Sequence, residues 1–353
     1  MDARTRILNA LDGKPLDAVP WSAYPGVLPG LGDVDREMRN RGMAFIQPVT
    51  PYTRETLNCE IVTREVWEDG QSFLYRTIRT PVGEVTEKRQ AEPGYGSSWI
   101  LEYMIKEPKD YRVVEFWVRD TEITPDYDVV VETEERLGGD GLALAWTTRS
   151  PFQQMYIELM GIERLALDRA DGLPEFLSLR EALEEQHESI YRVVAQSPAT
   201  LVWCPDNLSD LVAGGRVFAS YYVPYYRHKA AILRAAGKIM VAHFDGRLAS
   251  LVDGIGRSDI PVIEAFTPPP MGNLSITEAK RAWPDKVIWC NYPGSIFLEQ
   301  PDEIRRFTVE LLREAMPGGR FILGITENIP QAVYRQAMYA LADGIAEYER
   351  AGG

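Results

Sequence analysis

The sequence predicts a (β/α)8 barrel carrying an inserted antiparallel β region. Short apolar runs alternate with helical stretches through most of the chain, with short connections, which means parallel strands joined by crossover helices. About eight such units can be counted, the number that closes a barrel. An open nucleotide-binding sheet would need a Gly-rich phosphate turn after an early strand, and neither GxGxxG nor GxxxxGK occurs.

Asp2 to Leu11 reads as a short amphipathic helix with Ile7, Leu8 and Leu11 on one side, ended by Asp12-Gly13. Val19 to Tyr24 is an apolar strand, Gly26 to Gly32 a Gly/Pro loop, Asp33 to Arg41 a helix stopped by Gly42, and Met43 to Gln47 a second strand. The pattern then changes. Glu60 to Arg79 and Gly83 to Arg89 alternate apolar and polar residues, and Thr80-Pro81-Val82-Gly83 has the form of a hairpin connection. The insertion spans about 60–140 of a single 1–353 domain, and the Gly/Ser stretch Pro93 to Ser98 is a candidate lid.

From Gly141 the alternation is regular. Strands are expected at Leu142–Trp146, Ala199–Cys204, Lys238–Ala242, Ile260–Ile263, Val287–Cys290 and Arg320–Leu323. Helices are expected at Phe152–Leu167, Leu173–Ala195, Val217–Ala236 with a bend at Pro224, Leu248–Ile255, Ile276–Trp283, Glu303–Ala315 and Gln331–Arg350.

Composition narrows the function classes. The 353 residues are 45% hydrophobic and 25% charged, enough for a large core, and no apolar run approaches the ~20 residues of a membrane span. The N-terminus lacks a signal-peptide apolar segment, so the cytoplasm is expected. Cys59, Cys204 and Cys290 are far apart, which argues against a disulfide framework. A formal net charge of −14 makes nucleic acid and anionic membrane poor partners. A small molecule is the expected partner, and a homodimer is left open.

The chemistry concentrates at predicted strand ends, which a barrel gathers around one mouth. In Lys238–Gly246, KIMVAHFDG, an apolar run stops at His243, with Asp245 two residues on. Asp206 and Asn207, Glu264, Cys290 and Asn291, and Glu327 occupy equivalent places, and Tyr24 follows the first strand. Imidazole, carboxylates and a thiolate together suit a divalent metal, zinc first, with His243, Glu264, Glu327 and Cys290 as ligands. The same groups could work without metal, His243 with Asp206 or Asp245 as acid and base, and Asn207, Tyr24 and Asn291 as substrate contacts. Asp245 and Glu327 could equally cap the helices that follow them, Cys290 could be packing, and Trp146, Trp203 and Trp289 read as core.

Four segments carry a resemblance: RILNALDGKPLDAVP, YYVPYYRHKAAILRAAGKIMVAHFDGRL, MGNLSITEAKRAWPDKV and GGRFILGITENIP. In this order they resemble the uroporphyrinogen decarboxylase superfamily, over nearly the whole chain outside the insertion. The resemblance implies a (β/α) barrel with one deep cleft. The Arg-Gln-Ala-Gly-Arg motif of true uroporphyrinogen decarboxylases is replaced by Tyr24-Pro25-Gly26-Val27, so the resemblance is nearer the zinc-dependent methyltransferases, which move methyl groups between a corrinoid carrier and an acceptor. That branch implies zinc on a His-x-Cys, a later Cys and in some members a Glu. Here His243 and Glu264 match, Asp245 stands at the first Cys, and Thr326 or Glu327 lies near the second. No DxHxxG corrinoid-binding module is present, so a corrinoid would come on a separate protein. The expected activity is methyl transfer to or from a small molecule. The alternative is a metal-free decarboxylase of an aromatic or pyrrolic acid.

Overall fold

The computed structural model describes residues 1–92 and 97–352. Eight parallel strands close into a barrel: β1 Trp21–Ala23, β2 Met43–Val49, β3 Gly141–Trp146, β4 Leu201–Cys204, β5 Ile239–His243, β6 Val262–Phe266, β7 Val287–Asn291 and β8 Phe321–Ile325. Each strand pairs with its sequence neighbour, and β1 closes the ring against β8. Strands buried on both faces explain the continuous apolar runs. The interior is filled by alternate residues, among them Ile46, Leu144, Leu201, Val241, Val262, Val287 and Ile322. The helix Ala3–Asp12 adds Ile7, Ala10 and Leu11 to that cluster, and its Arg4 donates to the carbonyl of Gly141, where β3 begins. The N-terminal end of the barrel is thereby plugged, and the opposite end is left for chemistry.

The chain divides into two compact units. The barrel unit comprises Met1–Pro51, Tyr127–Trp146 and the chain from Ser197 onward. The second comprises Tyr52–Asp126 and Thr147–Gln196. Its main sheet runs Glu60–Glu68, Gln71–Thr80, Gly83–Glu92 and Ser97–Glu102, all antiparallel. The expected connection after Thr80 is present, with Thr80 opposite Gly83. A further turn divides the long Glu60–Arg79 stretch at Asp69-Gly70, where both residues have positive φ (51° and 79°), the geometry of a tight hairpin. Tyr52–Thr56 pairs separately with Thr121–Pro125. The helices Pro108–Asp120 and Pro174–Gln196 supply buried Tyr111, Val114, Phe176, Leu183 and Ile190. Of the candidate lid, Pro93–Gly96 lie outside the described residues.

The helix expected over Phe152–Leu167 is broken: Pro151–Gln154 runs into a π-helical Met155–Met160, and a new helix starts at Gly161. The bend expected near Pro224 appears as a π-helical turn, Phe218–Tyr222, just ahead of the helix Val223–Ala235. The strand expected to stop at Ile263 continues through Phe266. Ala265 there takes a left-handed φ of 55°, and the register against β7 shifts between Glu264 and Phe266. Glu264 is therefore inside a barrel strand, not beyond its end.

Candidate active site

The β5–β6 ladder sets His243 directly opposite Glu264. Both follow the inward-facing Val241 and Val262 by two residues, so both side chains point into the barrel. His243 Nδ1 lies 2.7 Å from Glu264 Oε2. The indole N–H of Trp203, on β4, donates to the same oxygen at 2.9 Å. An oxygen accepting from an indole requires the imidazole to present Nδ1–H as its second donor, which leaves Nε2 toward the open side. Glu264 is fully buried and His243 is 9% exposed.

Nε2 lies 3.6 Å from Asp245 Oδ2. Burial works against a charge on His243, but the Glu264 carboxylate, bonding to Asp245 and Glu264, and the Asp245 charge together outweigh it, pushing the pKa up to about 10. His243 is thus an imidazolium at neutral pH. Trp203 meets its ring edge to face, with centroids 5.2 Å apart, and Trp146 and Tyr24 in turn pack edge-on against Trp203 at 4.6 and 5.7 Å. The Tyr24 hydroxyl and Glu264 Oε1 are both buried without a hydrogen bond. Burial, then the Glu264 charge, raises the Tyr24 pKa well above its usual value.

Asp245 is held by Asn207, whose amide donates to Oδ2 at 3.1 Å from a left-handed backbone (φ 49°) that asparagine tolerates. Glu327, two residues past β8, receives the amide of buried Asn291 at 2.8 Å. Burial raises the Glu327 pKa, Asn291 and His243 lower it, and Asp245 raises it, so these charges share one mouth. Gly294 makes room for this carboxylate: a Cβ there would fall 2.5 Å from Glu327 Oε2.

His243, Asp245, Glu264, Glu327, Asn207, Asn291 and Tyr24 accordingly belong to one connected arrangement. Two expected residues are placed elsewhere. Asp206 is wholly buried, and its Oδ2 accepts from Tyr226 on the helix Val223–Ala235, a bond that ties strand end to helix. Cys290 lies between the inward Trp289 and Asn291 and so faces outward; burial, then Glu314 of the outer helix Pro301–Ala315, pushes its thiol pKa up. Sequence reasoning assigned Trp203 to packing alone. The signal was available in principle, because a buried indole N–H needs an acceptor.

Of the expected zinc ligands, His243, Glu264 and Glu327 lie at the mouth and Cys290 does not. Among the described residues no three His, Cys, Asp or Glu side chains come together as a metal site. Glu264 Oε2 is taken up by His243 Nδ1 and Trp203, and Cys290 points away. The Nδ1–H···carboxylate bond is one that also orients metal-bound histidines, but among the described residues only Asp245 has a carboxylate within 4 Å of Nε2.

No family model matches the chain, and no curated protein matches it. Solved structures do match. A methyltransferase from Methanosarcina mazei superposes with a TM-score of 0.61 at 12% identity, covering 99% of both chains. A B12-independent methionine synthase from Shewanella sp. W3-18-1 gives 0.41 at 10% identity, covering 91% of this chain and 87% of that one. An endoglucanase from an uncultured bacterium gives 0.42 at 9% identity, covering 88% and 84%. The first shares this fold over its full length. The other two scores are too low to argue from. No helix among the described residues is long and apolar enough to cross a membrane.

Proposed function

We propose that the chain is a methyltransferase of the corrinoid-linked type that removes a methyl group from a small methoxylated compound, with His243 as the proton donor. The observation carrying this is the His243 ring held between the Glu264 and Asp245 carboxylates at the barrel mouth, which favours its protonated form. In the proposed step the C–O bond breaks, the oxygen keeps the electron pair and takes the proton of His243 Nε2, and the methyl carbon bonds to the acceptor's electron pair. Solvent then reprotonates His243. A corrinoid on a separate protein would supply that acceptor. An acid of pKa about 10 matches a phenolic leaving oxygen, whose conjugate acid titrates at about 10. Trp203, Trp146 and Tyr24 give the mouth an aromatic lining suited to such a ring.

No step is routed through zinc, because among the described residues no three of its donors come together as a metal site. Decarboxylation is the weaker reading: apart from the His243–Glu327 interaction itself, the charges acting on these two groups come from carboxylates, and among the described residues no lysine or arginine joins them to receive a substrate carboxylate. The likeness in fold to the Methanosarcina mazei methyltransferase supports the choice at the level of architecture. The test is incubation with methoxylated aromatics and a reduced corrinoid protein, following the free phenol and methyl-corrinoid by mass and absorbance. Release of CO2 from aromatic acids without methyl transfer would reverse the order of the two readings.

A further inference from the structure

The second unit holds a cavity of about 240 Å³ lined by Arg54, Thr56, Arg76, Trp117, Gln154 and Glu158 among others, all of them residues of that unit. Its electrostatics run against the chain as a whole. The protein carries a formal charge of −14, yet the lining presents two arginines against one carboxylate. That carboxylate is committed: Glu158 pairs with Arg149 at 3.2 Å and bonds with the Gln154 amide, whose Oε1 is 2.9 Å from His187 Nε2.

The arginines are only partly paired. Arg54 lies over the Tyr52 ring, 5.5 Å from its centroid, and donates only to that hydroxyl, at 3.3 Å; no carboxylate among the described residues is within ion-pair distance. Arg76 stacks on Trp117 at 5.2 Å, which fixes its plane. The carboxylate nearest to it, Glu87, is 3.9 Å away and already bonded to Arg89 at 2.8 and 3.2 Å. Each guanidinium has five N–H donors, more than the contacts just named use, and both residues line the cavity. Burial, partly offset by Glu87, lowers the Arg76 pKa; Arg89 and Arg54 add to the lowering and Glu158 opposes it, and a bound anion would offset the remaining positive charge further.

We propose that this cavity binds a small organic anion through a carboxylate or phosphate group gripped by Arg54 and Arg76. Planar oxyanions match the guanidinium fork, and a partly enclosed site strengthens such bonds. Ile61 and Val118 in the lining offer an apolar patch for the rest of the molecule. The inference does not depend on the methyl-transfer reading.

The test is isothermal titration of the full chain with sodium benzoate, sodium succinate and inorganic phosphate at low salt, with choline chloride as the cationic control. At least one anion should bind saturably at one site per chain, and its affinity should fall several-fold on raising salt to about 0.3 M. Arg54→Gln and Arg76→Gln should each weaken it about tenfold or more. Benzoate or succinate preferred over phosphate identifies a carboxylate ligand, and the reverse a phosphate. Circular dichroism checks folding; Arg54 is exposed, so its variant stays informative if Arg76→Gln misfolds. No saturable binding of any of the three anions, or unchanged affinity in a folded variant, would overturn the proposal.

Discussion

Replacing Glu264 by Gln tests the charge pair at the centre of the barrel. Gln keeps an oxygen able to accept from Trp203 and His243 but removes the negative charge. The folded pKa of His243 lies above its unfolded value of 6.5, so the pairing contributes fully below about pH 6.5 and is lost as pH rises through about 10. A rise from 6.5 to about 10, at ~1.4 kcal/mol per unit, bounds the contribution at about 5 kcal/mol. That is a large share of a typical folding stability of roughly 5–15 kcal/mol. Urea unfolding of wild type and Glu264→Gln at pH 6.5 and pH 10 isolates it, because other titrating groups are common to both proteins. The wild type should lose several kcal/mol more than the variant across that window. Carbon-13 labelling of the three histidines gives an independent readout: His243 should titrate far above the usual range in wild type and fall in the variant. Parallel pH profiles within about 1 kcal/mol, or a wild-type His243 titrating near its ordinary value, would refute the reasoning.

Four further outcomes are expected. His243→Gln should cut methyl transfer about 10²–10⁴-fold with a smaller effect on KM, and wild-type turnover should hold until its basic limb near pH 10, read from a pH–rate profile. Gly294→Ala should push the Glu327 carboxylate out of its contact with Asn291, read from a structure of the variant, while circular dichroism and Tm stay close to wild type. Cys290→Ala should cost about 1–2 kcal/mol in unfolding experiments and leave turnover unchanged, because the thiol faces outward. Elemental analysis should find no stoichiometric zinc in wild type; stoichiometric zinc that is lost in both His243→Ala and Glu264→Ala would show that the donors rearrange into a metal site.

The barrel could be read from sequence because buried parallel strands leave unbroken apolar runs, and all eight expected barrel strands overlap the observed ones to within about two residues at their starts. His243 stood out because polarity resumes abruptly after Met240-Val241-Ala242. Glu264 was placed a strand-end too early for a physical reason: a carboxylate normally ends an apolar run, and nothing local reveals that His243 and Trp203 will bond it from neighbouring strands. Asp206 and Cys290 were misjudged through orientation. Proximity to a strand end was visible, but facing depends on register and on the helix packed outside, here the one bearing Tyr226. The second unit was least legible because its strands are two-faced and polar, and its π-helical turn at Met155–Met160 has no recognisable period.

His243 and Glu264 meet because two strands are in step, not because the residues are near in the chain. The loop between β5 and β6 can therefore lengthen or shorten over generations without separating the pair, whereas a single codon gained or lost inside either strand would turn one partner out of the barrel. Ala265 sharpens that constraint. Its left-handed backbone lets β6 run on after Glu264 while Phe266 packs outward against Trp283, so the permitted changes at this position are those of a hinge pin: glycine or asparagine should pass, and β-branched residues should be purged.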